Sequence, residues 1–231
     1  MKKFFRSRRS QIGLAAFALL NFAHAGVMAQ DAARVYFAND PVGRNVVAVV
    51  SRAPLETMLT RTGAVQAQVK INPQNVLDKP VARFLIDVNS FETGIKMRDE
   101  HMKSPEWIDT AKYPTATFTL LKALPPAGTT SIPLSVGRGA MEVEGELEFH
   151  GVKKIVRANV AVSLIPETEA TKARLAGEML HITATFPLKL DDFGVKIPEM
   201  AKLKIANVQD VQVDVFVSTG SKAPVWAAPV A

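Results

Sequence analysis

The chain has 231 residues, 48% of them hydrophobic and 22% charged, with a net charge of +6 and no cysteine. This excludes an intrinsically disordered chain and suits one large domain or two small ones, while the missing cysteine excludes disulfides, thiolate nucleophiles and cysteine-ligated metals. The positive charge invites a nucleic-acid reading, but Lys2, Lys3, Arg6, Arg8 and Arg9 all fall in the first nine residues and the remainder holds 23 bases against 22 acids, so no nucleic-acid partner is expected.

Residues 1–25 read as an export signal: the basic "MKKFFRSRRS", the apolar "IGLAAFALLNF" and the small-residue cleavage site "AHA" at Ala23–Ala25, with a second candidate cut after Ala29. The apolar run is about 11 residues where a bilayer span needs about 20. Cleavage rather than anchoring is expected, giving a periplasmic or secreted protein without stable membrane insertion. "SRRSQI" has a twin-arginine look apart from Gln11, which leaves that route and the general secretory one both open.

Beyond the leader the apolar period is two. "RVYFA" and "NVVAVVSR" read as strands, and in "AVQAQVKI" Val65, Ala67 and Val69 alternate with Gln66, Gln68 and Lys70. "RFLIDVN" follows. The stretch Phe91–Pro114 breaks the alternation: Ser104-Pro105-Glu106 has the order of a hydroxyl N-cap, a first-turn proline and an acid at the positive end of a helix, which predicts a short helix through Trp107, Ile108 and Asp109 with Arg98 pairing with Asp99. His101 lies close to Asp99, Glu100, Glu106 and Asp109, yet no second histidine stands at metal-binding spacing and no nucleophile elbow is present. No metal or cofactor is expected.

"TATFTLLK" resumes the strands. "MEVEGELEF" places Met141, Val143, Gly145, Leu147 and Phe149 on one face and Glu142, Glu144, Glu146 and Glu148 on the other; four acids in a row must face solvent, opposite cations such as Lys153 or Arg157. "IVRANVAVSLI", "HITATFPLKL" and "VQVDVFV" complete eight or nine strands, the last two with Ile182, Ala184, Phe186, Leu188 and Leu190, then Val211, Val213, Val215 and Val217, inward. "DDFG" between them lacks the other kinase motifs and reads as a turn, with Asp192 in an Asx-turn and Gly194 at positive φ. The Ala- and Pro-rich residues 219–231 read as a flexible tail onto which Trp226 offers one docking group. Long alternating strands with short turns predict an antiparallel sandwich or barrel. Two Tyr and two Trp cannot supply the aromatic girdles of an outer-membrane barrel.

Three ordered stretches resemble the YceI-like family: "NSFETGIKMRDEHMKSPEWIDTAKYPTATF", "GELEFHGVKKIV", and "DDFGV" followed by "VQDVQVDVFVST". The resemblance runs from Arg34 to Ser218. Leu190 stands where many members carry Arg, and "RAPLETMLTRTGAVQ" replaces a His-rich first hairpin. The resemblance implies a lipocalin-like antiparallel eight-stranded β-barrel over residues 34–218, extracytoplasmic and non-enzymatic, holding a polyisoprenoid or related amphiphile. Periodicity nominates Phe84, Ile86, Phe118, Leu147, Phe149, Ile182, Phe186, Leu188, Val213 and Val215 as wall residues, with Trp107 and Ile108 capping one end. Three readings stay open: a periplasmic carrier of an isoprenoid lipid, quinone-like or polyprenyl; a hydrolase or lyase using His101 with Asp99 or Glu100; and a ligand-free stress or interaction module with a filled barrel. The sequence leaves room for a homodimer.

Overall fold

The computed structural model describes residues 33–39 and 43–227; the leader and the last four residues of the tail lie outside them. Ten strands form one antiparallel sheet: β1 (Arg34–Ala38), β2 (Val46–Arg52), β3 (Thr57–Thr62), β4 (Val65–Ile71), β5 (Val81–Asp87), β6 (Thr115–Leu124), β7 (Arg138–Phe149), β8 (Val152–Ile165), β9 (Met179–Lys189) and β10 (Val208–Ser218). Two helices, α1 (Lys96–Lys103) and α2 (Glu169–Lys172), lie in the connections.

Pairing reduces the ten strands to eight staves. β1 and β2 lie end to end along β10, at Phe37↔Ser218 and from Asp214↔Val46 to Gln209↔Ser51. β4 and β3 follow them on the other side, from Arg34↔Ile71 and from Val47↔Thr62. The β1–β10 pairing joins the first stave to the last and closes an eight-stranded barrel. Closure leaves β3 as the one strand of the described sheet with a single strand partner, its far side meeting the connector at the Arg61↔Glu92 bridge.

The outer face follows the expected charge ladder. Lys153 Nζ lies 2.9 Å from Glu146 and 3.7 Å from Glu148, while Glu144 sits between Lys122 at 3.3 Å and Arg157 at 3.2 Å. With the glutamates outside, Met141, Val143 and Leu147 are buried within.

One end of the barrel is sealed. The β4–β5 loop and the β6–β7 connector cross it and bond to each other, Val76 N–H to Ile132 O at 3.0 Å and Leu134 N–H to Pro73 O at 2.8 Å, over a floor of Tyr36, Ile71 and Leu180. At that rim Tyr36 donates to Glu178 at 2.6 Å, and Arg34 Nη1 reaches both oxygens of the same carboxylate. The opposite end carries the β2–β3 loop, the α1 segment and the β9–β10 loop.

Two elements differ from expectation. The helix of the connector occupies Lys96–Lys103, and Ser104 ends it as its C-cap; Trp107 and Ile108 follow in turns. β3 is an additional strand, unforeseen because its buried positions are Thr60 and Thr62 while Leu59 faces out. Trp226 lies on the outside of the barrel, its indole N–H donating to Gln66 at 2.7 Å beneath the Arg83 guanidinium.

Candidate functional site

The inward side chains enclose a cavity of about 620 Å³. Its floor is Ile71, Val76, Val162 and Leu180 at the sealed end; its outer end is lined by Met97, His101 and Lys204, all exposed, so it opens at the α1 end. Depth follows from small residues on the wall. Ala82, Ala116, Ala158 and Ala184 stand where larger side chains would meet across the axis. Gly145 serves the same end: the Phe118 ring lies across it, in the space a Cβ would take.

Eleven of the twelve nominated residues line this cavity: Phe84 and Ile86 on β5, Phe118 on β6, Leu147 and Phe149 on β7, Ile182, Phe186 and Leu188 on β9, Val213 on β10, and Trp107 and Ile108 from the connector. Phe84 and Phe118 approach with ring centroids 6.4 Å apart. Val215 is the correction. It is fully buried in the core, one inward step nearer the sealed end than Val213, and core neighbours cover its side chain although Ile182 opposite it reaches the cavity. Val47, Val49, Val65, Val69, Met141 and Val143 also line the cavity, and the same period-two reading finds them; Ile205 and Val195, from an aperiodic loop, carry no such signal.

Apart from Thr60, the polar lining gathers toward the mouth: Ser51, Glu56, Arg98, His101, Lys204 and Gln209. Ser51 Oγ accepts from Ala206 N–H at 2.9 Å and from Gln209 Nε2 at 3.3 Å. Arg98 pairs with Glu56 across 2.6 Å rather than with Asp99. The Asp99 carboxylate accepts instead from the Thr93 hydroxyl at 2.5 Å and the Thr93 N–H at 2.7 Å. The hydroxyl bond is the main cause holding this carboxyl below its usual range. Glu100 reaches back to Lys96 at 3.8 Å. With Asp99 and Glu100 turned to these partners, the acid–histidine pair that hydrolysis would need is not assembled around His101. Among the described residues no three His, Asp or Glu side chains come together as metal ligands.

The turn Leu190–Phe193 braces the mouth from below. Gly194 takes φ 76° as its position requires, Phe193 packs edge-on to Phe149 at 5.8 Å, and His150, its ring tilted against Tyr113 at 4.6 Å, holds Phe193 O at 2.9 Å from Nδ1. Asp192 lies 3.9 Å from Lys189 Nζ, while Gly194 N–H closes the turn on Asp191 O.

An end-open antiparallel barrel of this size, with a deep apolar interior and polar groups at its mouth, has the shape and lining of a small-molecule pocket. The YceI-like domain matches residues 37–218, and the chain belongs to that family. It is 29% identical over 112 residues to a UPF0312 protein of Vibrio cholerae, covering 48% of this chain and 51% of that one. To a UPF0312 protein of Pseudomonas putida it is 34% identical over 101 residues, 44% and 45% of the two chains. The chain thus spans about half the length of the curated relatives it matches. Among solved structures it resembles BcnA of Burkholderia cenocepacia (TM-score 0.58, 23% identity, covering 75% of this chain and 96% of that one). It also resembles a polyisoprenoid binding domain from Saccharophagus degradans (TM-score 0.55, 19% identity, 83% and 99%). Both likenesses are of fold.

Proposed function

We propose that the protein is a periplasmic binding or carrier protein for a long-chain isoprenoid lipid, of quinone or polyprenyl type, whose tail lies in the barrel and whose headgroup stays at the mouth. The supporting observation is the cavity of about 620 Å³, apolar over most of its depth and polar at its open end. Moving one isoprene unit from water to such a wall contributes about 3 kcal/mol before ordering costs, so a few units reach micromolar affinity. The description of the Saccharophagus domain as polyisoprenoid binding points the same way. A filled barrel is disfavoured by the cavity itself. A hydrolase is disfavoured by the partners that Asp99 and Glu100 already have.

Native mass spectrometry and lipid extraction of protein purified without delipidation test this reading. An isoprenoid that co-purifies, or that loads stoichiometrically from detergent micelles, is the expected result. Recovery of no lipid together with failure to load any isoprenoid overturns it.

A further inference from the structure

The two ends of the barrel differ in what they show to solvent. Among the described residues, the loops at the sealed end expose no large apolar side chain, Val225 lying in the tail beside Trp226 on the outer wall, whereas those at the mouth expose five: Leu55 (71%), Ile95 (50%), Met97 (70%), Met200 (89%) and Leu203 (55%). These five come from three separate connections that are tied together. Leu55 N–H donates to Leu203 O at 2.9 Å, and Glu56 pairs with Arg98 on α1. Ile95 and Met97 also line the cavity, so apolar tips stand among the polar groups of the mouth and run on into the apolar interior.

Charge decides what covers such a rim. Lys96 pairs with Glu100, Lys202 with Glu199 and Arg98 with Glu56, so these rim charges are largely neutralised by neighbours on the rim itself and offer a polypeptide partner little to complement. The apolar tips alternate with lysines in sequence, Lys96-Met97 and Lys202-Leu203-Lys204. That is the pattern of an interfacial segment, in which lysine stems lie along the acyl boundary and the ammonium groups stay among headgroups. Five exposed tips around one opening exceed the scattered singles of an ordinary surface.

We propose that the mouth is a membrane-docking rim: Leu55, Met200 and Leu203, with Ile95 and Met97, insert into the outer part of a phospholipid leaflet and set the cavity opening against the bilayer that supplies the lipid tail. The supply step rests on the carrier reading above; the docking step does not. Because the rim ion pairs largely cancel, docking needs no anionic lipid and survives high salt.

The absence of cysteine makes the test clean. An environment-sensitive fluorophore is attached to L55C, M200C or L203C, and to T130C on the sealed-end connector as control, and each protein is mixed with phosphatidylcholine vesicles. At least a twofold rise in emission with a blue shift is expected at the three rim sites and none at T130C. No rise at the rim, or an equal rise at T130C, overturns docking; so does a rise on concentrating the protein without vesicles, which would mark a second copy as the occupant. The variant L55E/M200E/L203E is expected to load isoprenoid from vesicles at least tenfold more slowly while loading from detergent micelles is unchanged. Unchanged loading from vesicles also overturns the proposal. Failure of the wild-type protein to load from micelles would sink the carrier reading alone, leaving the fluorophores to decide docking.

Discussion

Tyr36 has no accessible surface, and its hydroxyl donates to a carboxylate that Arg34 also holds. Burial, and then the bond to Glu178, push its pKa well above the ordinary value. The protonated phenol is thus favoured in the folded state. Its contribution to stability is complete below the ordinary tyrosine value, about 10, and is lost as pH rises from there through the folded value. Tyr36→Phe should lower stability by about 1–2 kcal/mol at neutral pH and flatten the fall in denaturation midpoint above pH ~10 that the wild type shows. Asp99 has the opposite sign. Its lowered pKa contributes stability above the ordinary carboxylate range, about 3.9, which is lost as pH falls through the folded value. Thr93→Val removes the hydroxyl bond, so an NMR titration should show the Asp99 carboxyl rising toward its usual range. At this scale the glutamate ladder on β7 was legible because its partners stand on adjacent strands in fixed register. The partner of Arg98 was not, because Glu56 lies 42 residues away and only the closed barrel brings the two together.

Elements were legible wherever one face is apolar. β4, β7, β9 and β10 announce themselves by alternation, whereas β3 turns threonines inward and so inverts the signal that identifies a strand. The connector helix was displaced by a different cause: Ser104-Pro105 has the composition of a helix start, but Pro105 equally well follows a helix end, and the bond from Thr93 to Asp99 fixes the chain one helix earlier. β6 also hides a register shift between Leu120 and Lys122, which keeps Lys122 outside with Glu144 and brings Ala123 to the cavity. Next to that bulge, Gly145 accommodates the Phe118 ring, and a Cβ there would also lie 2.7 Å from Thr119 O. Gly145→Ala should therefore cost about 1–3 kcal/mol by overpacking, read as a lower denaturant midpoint. Adding Phe118→Leu should recover part of that loss.

For the whole molecule, strand count and facing left a sandwich or a barrel and the family resemblance pointed to the barrel, but neither gave its depth, since alternation gives the side a residue faces and not how far opposite walls stand apart. Ala184 pairs with Val160 and Val213 at mid-wall, and Ala184→Phe should fill the bore there. Isoprenoid affinity is expected to fall at least tenfold in a loading titration, while the thermal midpoint stays level or rises as empty space is filled. The crossed loops over Tyr36 and Leu180 carry a last consequence. If the barrel carries lipid as proposed, a vessel stoppered at its base has a single doorway among the described residues, so cargo must back out along the path by which it entered, and a giver and a taker cannot be served at once. Any handover therefore becomes a shuttle between successive encounters, never a conduit.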